Sequence, residues 1–113
     1  HKPQREAAGL AHNWEAVRRL MWDLVGIVRT DERLETAEER LRALRHEIER
    51  EFRTYRLTAD LVELRNLALV AHLIVRSARW RKESRGLHFN LDHPRRSARY
   101  RRDTTLVRRA GER

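Results

Sequence analysis

The chain has 113 residues, enough for one small domain, and it contains no cysteine, which excludes disulfides and thiolate-held metal sites. No apolar run approaches the ~20 residues that cross a bilayer. Basic side chains outnumber acidic ones by 26 to 17, and the excess is unevenly placed. Residues 1–75 carry equal numbers of both, so the whole net charge of +9 lies in residues 76–113. A basic end favours nonspecific binding of anions but does not specify a fold.

The first 30 residues predict a linker followed by a helix. Residues 1–12 are expected to be a linker, because a proline and Gly9 interrupt any helical pattern. Asn13 is the expected N-cap of a first helix over about residues 14–29. Gly26 costs a helix roughly 1 kcal/mol relative to Ala, so we expect it to admit a closely packed neighbouring helix. The apolar stripe, at spacings of three and four, is Trp14, Val17, Met21, Leu24 and Val28.

Two further helices are predicted from their N-caps and periodicity. Thr30 is expected to cap the second helix, and Thr58 is expected to cap a third over about residues 59–82. Glu38 and Glu39 belong to a charged face that we expect to be solvated, because adjacent helical positions diverge by about 100° and cannot form an acid/base pair. The apolar stripe of the second helix is Leu34, Ala37, Leu41, Leu44 and Ile48.

The third helix is apolar on every side over part of its length. From Leu67 to Val75 only His72 is not apolar. A helix that is apolar all round is buried all round, whereas a three-helix bundle covers only part of each helix. The run therefore predicts a second buried contact through Leu67, Val70 and Ile74, with another domain or a partner molecule. The alternative is that long side chains of neighbouring helices cover it. His72 itself is expected to be a histidine at the edge of the core with one hydrogen-bond partner.

The period changes from 3.6 to 2 after the third helix. Gly86 is expected to take the left-handed conformation that follows a helix end. An extended segment follows it and closes at Pro94. Because the chain offers no second convincing strand, we expect the pairing partner of this segment to lie outside the chain. Its two sides are Leu87, Phe89 and Leu91 on one, and His88, Asn90 and Asp92 on the other.

The arginine-rich stretch after Pro94 predicts an extended or disordered tail, because it has few apolar residues and like charges repel. Its arginines and Tyr100 leave open a different function, a stand-alone basic helical module that binds RNA or a protein partner. A metal site is not predicted: His88 and Asp92 face away from His93, and no metal-ligand spacing occurs.

These patterns together predict an all-α fold, an antiparallel three-helix bundle with up-down-up, spectrin-repeat-like topology. Its boundaries are expected at a linker of residues 1–12, a bundle of residues 13–82, and an extended docking segment with a basic tail over residues 83–113. The chain starts with His1 rather than Met, which indicates a fragment, a trimmed chain or the remnant of a tag, and the uncovered third helix favours self-association of such a fragment.

The run Glu83-Ser84-Arg85-Gly86-Leu87-His88, followed by Asp92 and Pro94, resembles the C-terminal signature of the L-aspartate oxidases. These enzymes are a branch of the flavoprotein family that includes succinate dehydrogenase and fumarate reductase. The resemblance extends back through residues 64–67 and 21–29. His93 and the arginine-rich tail depart from the family pattern.

The resemblance implies an oxidoreductase that uses FAD to convert L-aspartate to iminoaspartate, with oxygen or fumarate as electron acceptor. It implies a cytoplasmic enzyme of NAD biosynthesis whose product is used by quinolinate synthase. FAD and the catalytic groups of such enzymes belong to upstream domains, so no catalytic, cofactor-binding or metal-binding residue is assigned in this chain. The residues predicted to dock on the flavin-binding domain are Leu67, Val70, Ile74, Glu83, Arg85, Gly86, Leu87, His88, Phe89, Leu91 and Asp92.

Overall fold

The computed structural model describes residues 2–26 and 28–107. It contains three long helices that pack on one another, which confirms the predicted all-α bundle. The elements in chain order are α1 (Ala7–Val25), β1 (Val28–Arg29), α2 (Asp31–Thr54), α3 (Ala59–Trp80), β2 (Phe89–Asn90) and a short 3₁₀ helix (Ala98–Tyr100).

The caps of α2 and α3 are as predicted. The side chain of Thr30 accepts a hydrogen bond from the backbone N–H of Arg33 at 3.2 Å. Thr58 accepts one from Leu61 at the same distance. Each cap satisfies one of the N–H groups that a helix N-terminus leaves without a partner. α3 ends at Trp80, two positions before its predicted end.

α1 begins at Ala7, earlier than predicted. Asn13 lies buried inside this helix, so its prediction as an N-cap is wrong, and the predicted linker is wrong where it overlaps α1. Tertiary contacts explain the extra turns, because Leu10 packs into the core and Arg5 forms an ion pair with Glu51 of α2 at 3.2 Å. Such contacts override the local cost of a glycine in a helix.

Gly26 also differs from its prediction. α1 ends at Val25, so Gly26 follows the helix instead of lying inside it. Among the described residues, a Cβ added at Gly26 would meet only the backbone oxygen of Trp22, at 3.0 Å. No neighbouring helix approaches this position, and the predicted role of Gly26 in helix packing is wrong.

The core lies between the three helices. The predicted stripe of α2 is buried except for Leu44, which is partly buried against the core. In α1 only Val17 of the predicted stripe is fully buried, and Val28 lies outside the helix. Burying a Leu, Val or Ile side chain contributes roughly 1.5–3 kcal/mol. The buried hydrophobic cluster is Leu10, Val17, Val25, Leu34, Ala37, Leu41, Ile48, Leu61, Leu64, Ala68, Ala71, Val75 and Ala78.

One predicted surface residue is buried between α2 and α3. Glu38 is only 7% exposed, and Nη1 of Arg79 donates to its Oε1 at 2.6 Å. The expectation that Glu38 is solvated is wrong, because Arg79 of α3 supplies the compensating charge that burial of a carboxylate requires. Glu39 is exposed as predicted.

His72 is buried beside this pair and confirms the predicted core-edge histidine. Its Nδ1 lies 2.8 Å from Nη1 of Arg45, and its Nε2 lies 3.4 Å from Oε2 of Glu38. Burial lowers the pKa of His72, and the charge of Arg45 lowers it further. The ring therefore favours its neutral form in the folded chain.

Candidate docking surface

The segment after α3 pairs with the connection between α1 and α2. β2 runs parallel to β1, with Val28 opposite Phe89 and Arg29 opposite Asn90. The backbone N–H of Leu91 donates to the carbonyl oxygen of Arg29 at 2.7 Å. The prediction that the pairing partner lies outside the chain is therefore wrong. A two-residue strand is too short to show a period of 2 in the sequence, and Val28 also fits the helical stripe.

Gly86 lies in a tight turn between Arg85 and His88. The backbone of Arg85 donates to the oxygen of His88 at 2.8 Å, and the reverse bond is 3.0 Å long. The φ angle of Gly86 is 58°, so the predicted left-handed conformation is confirmed. Its predicted place at the helix end is not, because Arg81 closes α3 and Gly86 is the first central residue of the turn.

We expect Gly86→Val to destabilise the chain and Gly86→Asn to be tolerated. A Cβ at Gly86 would have no atom within 4 Å, so space is not the problem. The left-handed backbone costs most L-residues roughly 1–2 kcal/mol, whereas asparagine adopts it more readily than other non-glycine residues. Thermal melting of both variants checks this. Equal melting temperatures for the two variants would contradict the backbone explanation.

Glu83 holds the turn and the tail to the end of α3. Its carboxylate is fully buried and accepts hydrogen bonds from Nη1 of Arg81 at 2.7 Å, Nε of Arg85 at 3.0 Å and the backbone N–H of Ser97 at 2.9 Å. The bond from Arg85, with those from Ser97 and Arg81, outweighs burial and lowers the pKa of Glu83 to about 2. Because Glu83 faces inward, its prediction as a residue that contacts another domain is wrong.

The arginine-rich tail folds back onto α3. Tyr100 is buried, and its ring meets the ring of Trp80 edge-on with centroids 4.8 Å apart. Arg81 donates to the backbone oxygens of Tyr100 and Arg102, and to the side chain of Thr104 at 2.9 Å. The prediction of an extended or disordered tail is wrong at Ala98–Tyr100, which form a 3₁₀ helix, whereas residues 101–107 contain no helix or strand. The remainder of the tail lies outside the described residues. The Trp80–Tyr100 pair and Arg81 thus hold the tail against α3, although its composition predicts no regular structure.

A second polar cluster fixes the far end of the segment to the start of α2. Asp92 accepts a hydrogen bond from the backbone N–H of Asp31 at 2.7 Å. The carboxylate of Asp31 lies 2.9 Å from Nδ2 of Asn90 and 2.7 Å from Nε2 of His93. Burial alone would raise the pKa of Asp31, but the bonds from Asn90 and His93 and the charge of Lys82 hold it below its usual range. These contacts are internal to the chain.

Four large aliphatic side chains between positions 69 and 74 of α3 are left uncovered by the other described residues. Leu69, Val70, Leu73 and Ile74 are each more than a third exposed, with Val70 the most exposed at 52%. We call these four residues the α3 face. Leu67 instead packs partly buried against the core. The alternative that neighbouring side chains cover this run is wrong, because α1 and α2 leave the α3 face open.

A second apolar surface lies on the outer side of the segment. Leu87, Phe89 and Leu91 are 92%, 39% and 55% exposed, and we call them the apolar edge. Asn90, on the other side, is fully buried, and His88 is partly buried. The predicted alternation therefore holds from Leu87 to Leu91 but fails at Asp92, which is exposed. The predicted extended segment is limited to Phe89–Asn90, with turns on either side. Val28, the strand partner of Phe89, is also exposed.

The described residues do not form a reaction centre of a recognisable kind. Ser84 uses its hydroxyl to bridge the backbone, accepting from Asn90 and donating to the oxygen of His93, each at 2.9 Å. Within residues 2–26 and 28–107, no group of three His, Cys, Asp or Glu is arranged to hold a metal ion. The polar groups of the segment make their contacts within the chain.

The described residues also lack a glycine-rich cradle for a dinucleotide phosphate. Such a cradle needs closely spaced glycines that lead from a strand into a helix N-terminus. Gly9 lies within α1, Gly26 follows α1 and Gly86 lies in a turn, each without a second glycine nearby. These residues therefore do not fit FAD. No helix in the described part of the chain has the length and apolar character to cross a membrane.

Sequence comparison defines the class of protein to which this bundle and its C-terminal segment belong. The profile described as "Fumarate reductase flavoprotein C-term" matches residues 14–113, and the chain belongs to this family. This confirms the resemblance carried by residues 83–94.

Within the family the chain is similar to L-aspartate oxidases. It is 59% identical over 85 residues to L-aspartate oxidase of Pseudomonas aeruginosa, covering 75% of this chain and 16% of that protein. It is 53% identical over 89 residues to L-aspartate oxidase 1 of Ralstonia nicotianae and to L-aspartate oxidase of Yersinia pestis, covering 79% of this chain and 17% of each. The chain thus spans less than a fifth of the length of these relatives.

Proposed function

We propose that this chain is the C-terminal helical domain of an FAD-dependent L-aspartate oxidase. The observation that carries the proposal is the 59% identity to a protein of that name, within a family of flavoprotein C-terminal domains. The parent enzyme would oxidise L-aspartate to iminoaspartate in the cytoplasm and supply quinolinate synthase on the way to NAD. Its FAD would lie in the flavin-binding domain, which agrees with the absence of a glycine-rich cradle among the described residues of this chain.

The domain itself would brace the flavin-binding domain and would not be catalytic. Two observations support this role, the open α3 face and the open apolar edge. Fully burying one large aliphatic side chain contributes roughly 1.5–3 kcal/mol, so covering both surfaces offers a substantial gain. The same exposed surfaces would favour self-association of the chain when it is separated from its partner.

The polar clusters around Glu83 and Asp31 would serve this role indirectly. They fix residues 83–93 against the bundle, so the apolar edge meets its partner already ordered. Preorganisation of this kind lowers the entropic cost of association. In this proposal the chain has three parts. A link ahead of α1 leads from the flavin-binding domain, the helical bundle follows, and the docking segment with its tail begins at residue 83.

Assay of the longer polypeptide tests the proposal. The purified full-length protein should carry FAD and consume oxygen with L-aspartate, with D-aspartate as the matched control. Oxidation of succinate in place of L-aspartate would contradict the assigned substrate. The 113-residue chain alone should leave the fluorescence of added FAD unchanged, and saturable flavin binding at micromolar concentration would contradict a bracing role without cofactor contact.

A further inference from the structure

His88, the residue immediately before β2, contacts both β1 and the C-terminal end of α3. Nη1 of Arg29 lies 2.8 Å from its Nδ1, and its Nε2 lies 2.9 Å from the backbone oxygen of Arg81. A guanidinium can only donate and a carbonyl oxygen can only accept. The ring must therefore accept at Nδ1 and donate at Nε2, which is the neutral Nε2–H tautomer. Both ring nitrogens are used, so the arrangement has no place for a second proton.

Protonation would place an N–H of the ring against the N–H of Arg29. The cation could not easily withdraw, because Nε of Arg29 donates to the backbone oxygens of Val25 and Gly26 at 3.1 and 3.2 Å. Two like charges would then face each other at hydrogen-bond distance, with both N–H groups lacking an acceptor. Breaking this contact is the direct way to relieve the repulsion.

The other charges around His88 do not compensate for a proton on the ring. From the end of α3 it faces Arg81, a second cation. From its own segment it faces Glu83, whose carboxylate is already bound by Arg81, Arg85 and the backbone of Ser97. Burial lowers the pKa of His88, and the charges of Arg29 and Arg81 lower it further, against the raising effects of the Arg81 carbonyl and Glu83.

We propose that His88 and Arg29 form an acid-sensitive clip that holds the apolar edge against the bundle at neutral pH and releases it in mild acid. Release of the clip would also weaken the strand pair. The backbone oxygen of Arg29 accepts a hydrogen bond from the N–H of Leu91, and Arg29 pairs with Asn90. Loss of the clip would free Phe89 and Leu91, two members of the apolar edge. The consequence for flavin retention rests on the proposed docking role, whereas the opening itself does not.

The direction of the pH effect follows from the neutral ring. Because the folded state lowers the pKa of His88, the unfolded or open state binds the proton more readily. The stability of the clip is complete above the ordinary histidine pKa of about 6.5 and declines as the pH falls below that value. Nε2 of His93, the other histidine of the segment, contacts the carboxylate of Asp31 at 2.7 Å instead.

Hydrogen exchange of the full-length protein with its flavin bound tests the clip. Exchange at pH 7.5 and 5.5, corrected for the intrinsic rate, would be followed in peptides covering residues 28–31 and 83–93. An open histidine with the ordinary pKa of about 6.5 is about one-tenth protonated at pH 7.5 and about nine-tenths protonated at pH 5.5, so we expect several-fold faster exchange in both peptides at the lower pH. Peptides from the core of α3 should keep their protection at both pH values. Faster exchange there would instead indicate a general loss of stability, for example one caused by His72.

Two variants should remove the acid response. In His88→Gln the amide can accept from Arg29 and donate to Arg81 but does not titrate. In Arg29→Gln the amide can present either its NH₂ group or its oxygen to the ring, so it accommodates both protonation states. Either variant should keep the same protection at both pH values. His46→Gln is the control, since His46 is exposed on α2 and should retain the wild-type response.

Wild-type protection that does not change with pH would overturn the proposal. An acid response that persists in both His88→Gln and Arg29→Gln would also overturn it. If His88→Gln is unprotected even at neutral pH, Arg29→Gln still decides the question. Flavin retention at pH 5.5 is a separate readout: if the clip opens and FAD stays bound, the acid-sensitive clip stands and the docking role of the apolar edge fails.

Discussion

Replacing Val70 and Ile74 together by aspartate is expected to detach the helical domain from the rest of the full-length flavoprotein. Both side chains are exposed within this chain, at 52% and 42%, so the bundle itself should still fold. In the docked state each carboxylate would be buried without a partner, at a cost of several kcal/mol. A loss of this size weakens association more than about a hundredfold. The melting temperature of the full-length protein should fall and its flavin should be lost during gel filtration.

Leu57→Asp is the matched control for this double variant. Leu57 is 56% exposed in the connection between α2 and α3, outside both the α3 face and the apolar edge. At this position the same change from an apolar to a charged side chain should have little effect on flavin retention or on the melting temperature. Equal losses of flavin in Leu57→Asp and in the double variant would mean that general destabilisation, not loss of docking, explains the result.

Leu41→Ala is expected to have the largest effect on the stability of the bundle. Leu41 is fully buried in α2, and truncating a buried leucine costs about 2–5 kcal/mol because a cavity remains. The whole free energy of unfolding of a small domain is on the order of 5–15 kcal/mol, so this one change removes a large part of it.

The measurement is urea unfolding of the 113-residue chain, with Leu57→Ala as the exposed control. The midpoint for Leu41→Ala should fall while the slope is unchanged, because the surface exposed on unfolding is nearly the same. A loss below about 1 kcal/mol would contradict the burial of Leu41 in the core, since surface substitutions fall in that range.

Local signals were sufficient for α2 and α3. Thr30 and Thr58 each precede a run of apolar residues at helical spacing. In the structure both threonines cap their helices, and most of these apolar residues are buried. The start of α1 depends on contacts distant in sequence, between Arg5 and Glu51, which no local pattern contains. The same applies to Glu38, whose burial depends on Arg79 of a different helix.

The candidate docking surface was predicted in part. The alternation of Leu87, Phe89 and Leu91 predicts that these three side chains share one environment, and all three are exposed. The sequence could not show that Glu83 faces inward, because a carboxylate among arginines suits either a surface or a buried cluster. Nor could it show the pairing of β1 and β2, because strands of two residues leave no periodic signal and Val28 also fits the helical stripe.

The central claim is that this domain positions the flavin-binding domain and takes no part in the chemistry. Arg85→Ala tests it most directly, because Arg85 lies in the family signature, binds Glu83 at 3.0 Å and also donates to the backbone oxygen of Ser97. Flavin occupancy and turnover per bound flavin would be measured together in the full-length enzyme. We expect occupancy and thermal stability to fall while turnover per bound flavin stays within about twofold of wild type. Intact occupancy and melting temperature with turnover per bound flavin abolished would contradict the claim and place Arg85 in the catalytic reaction.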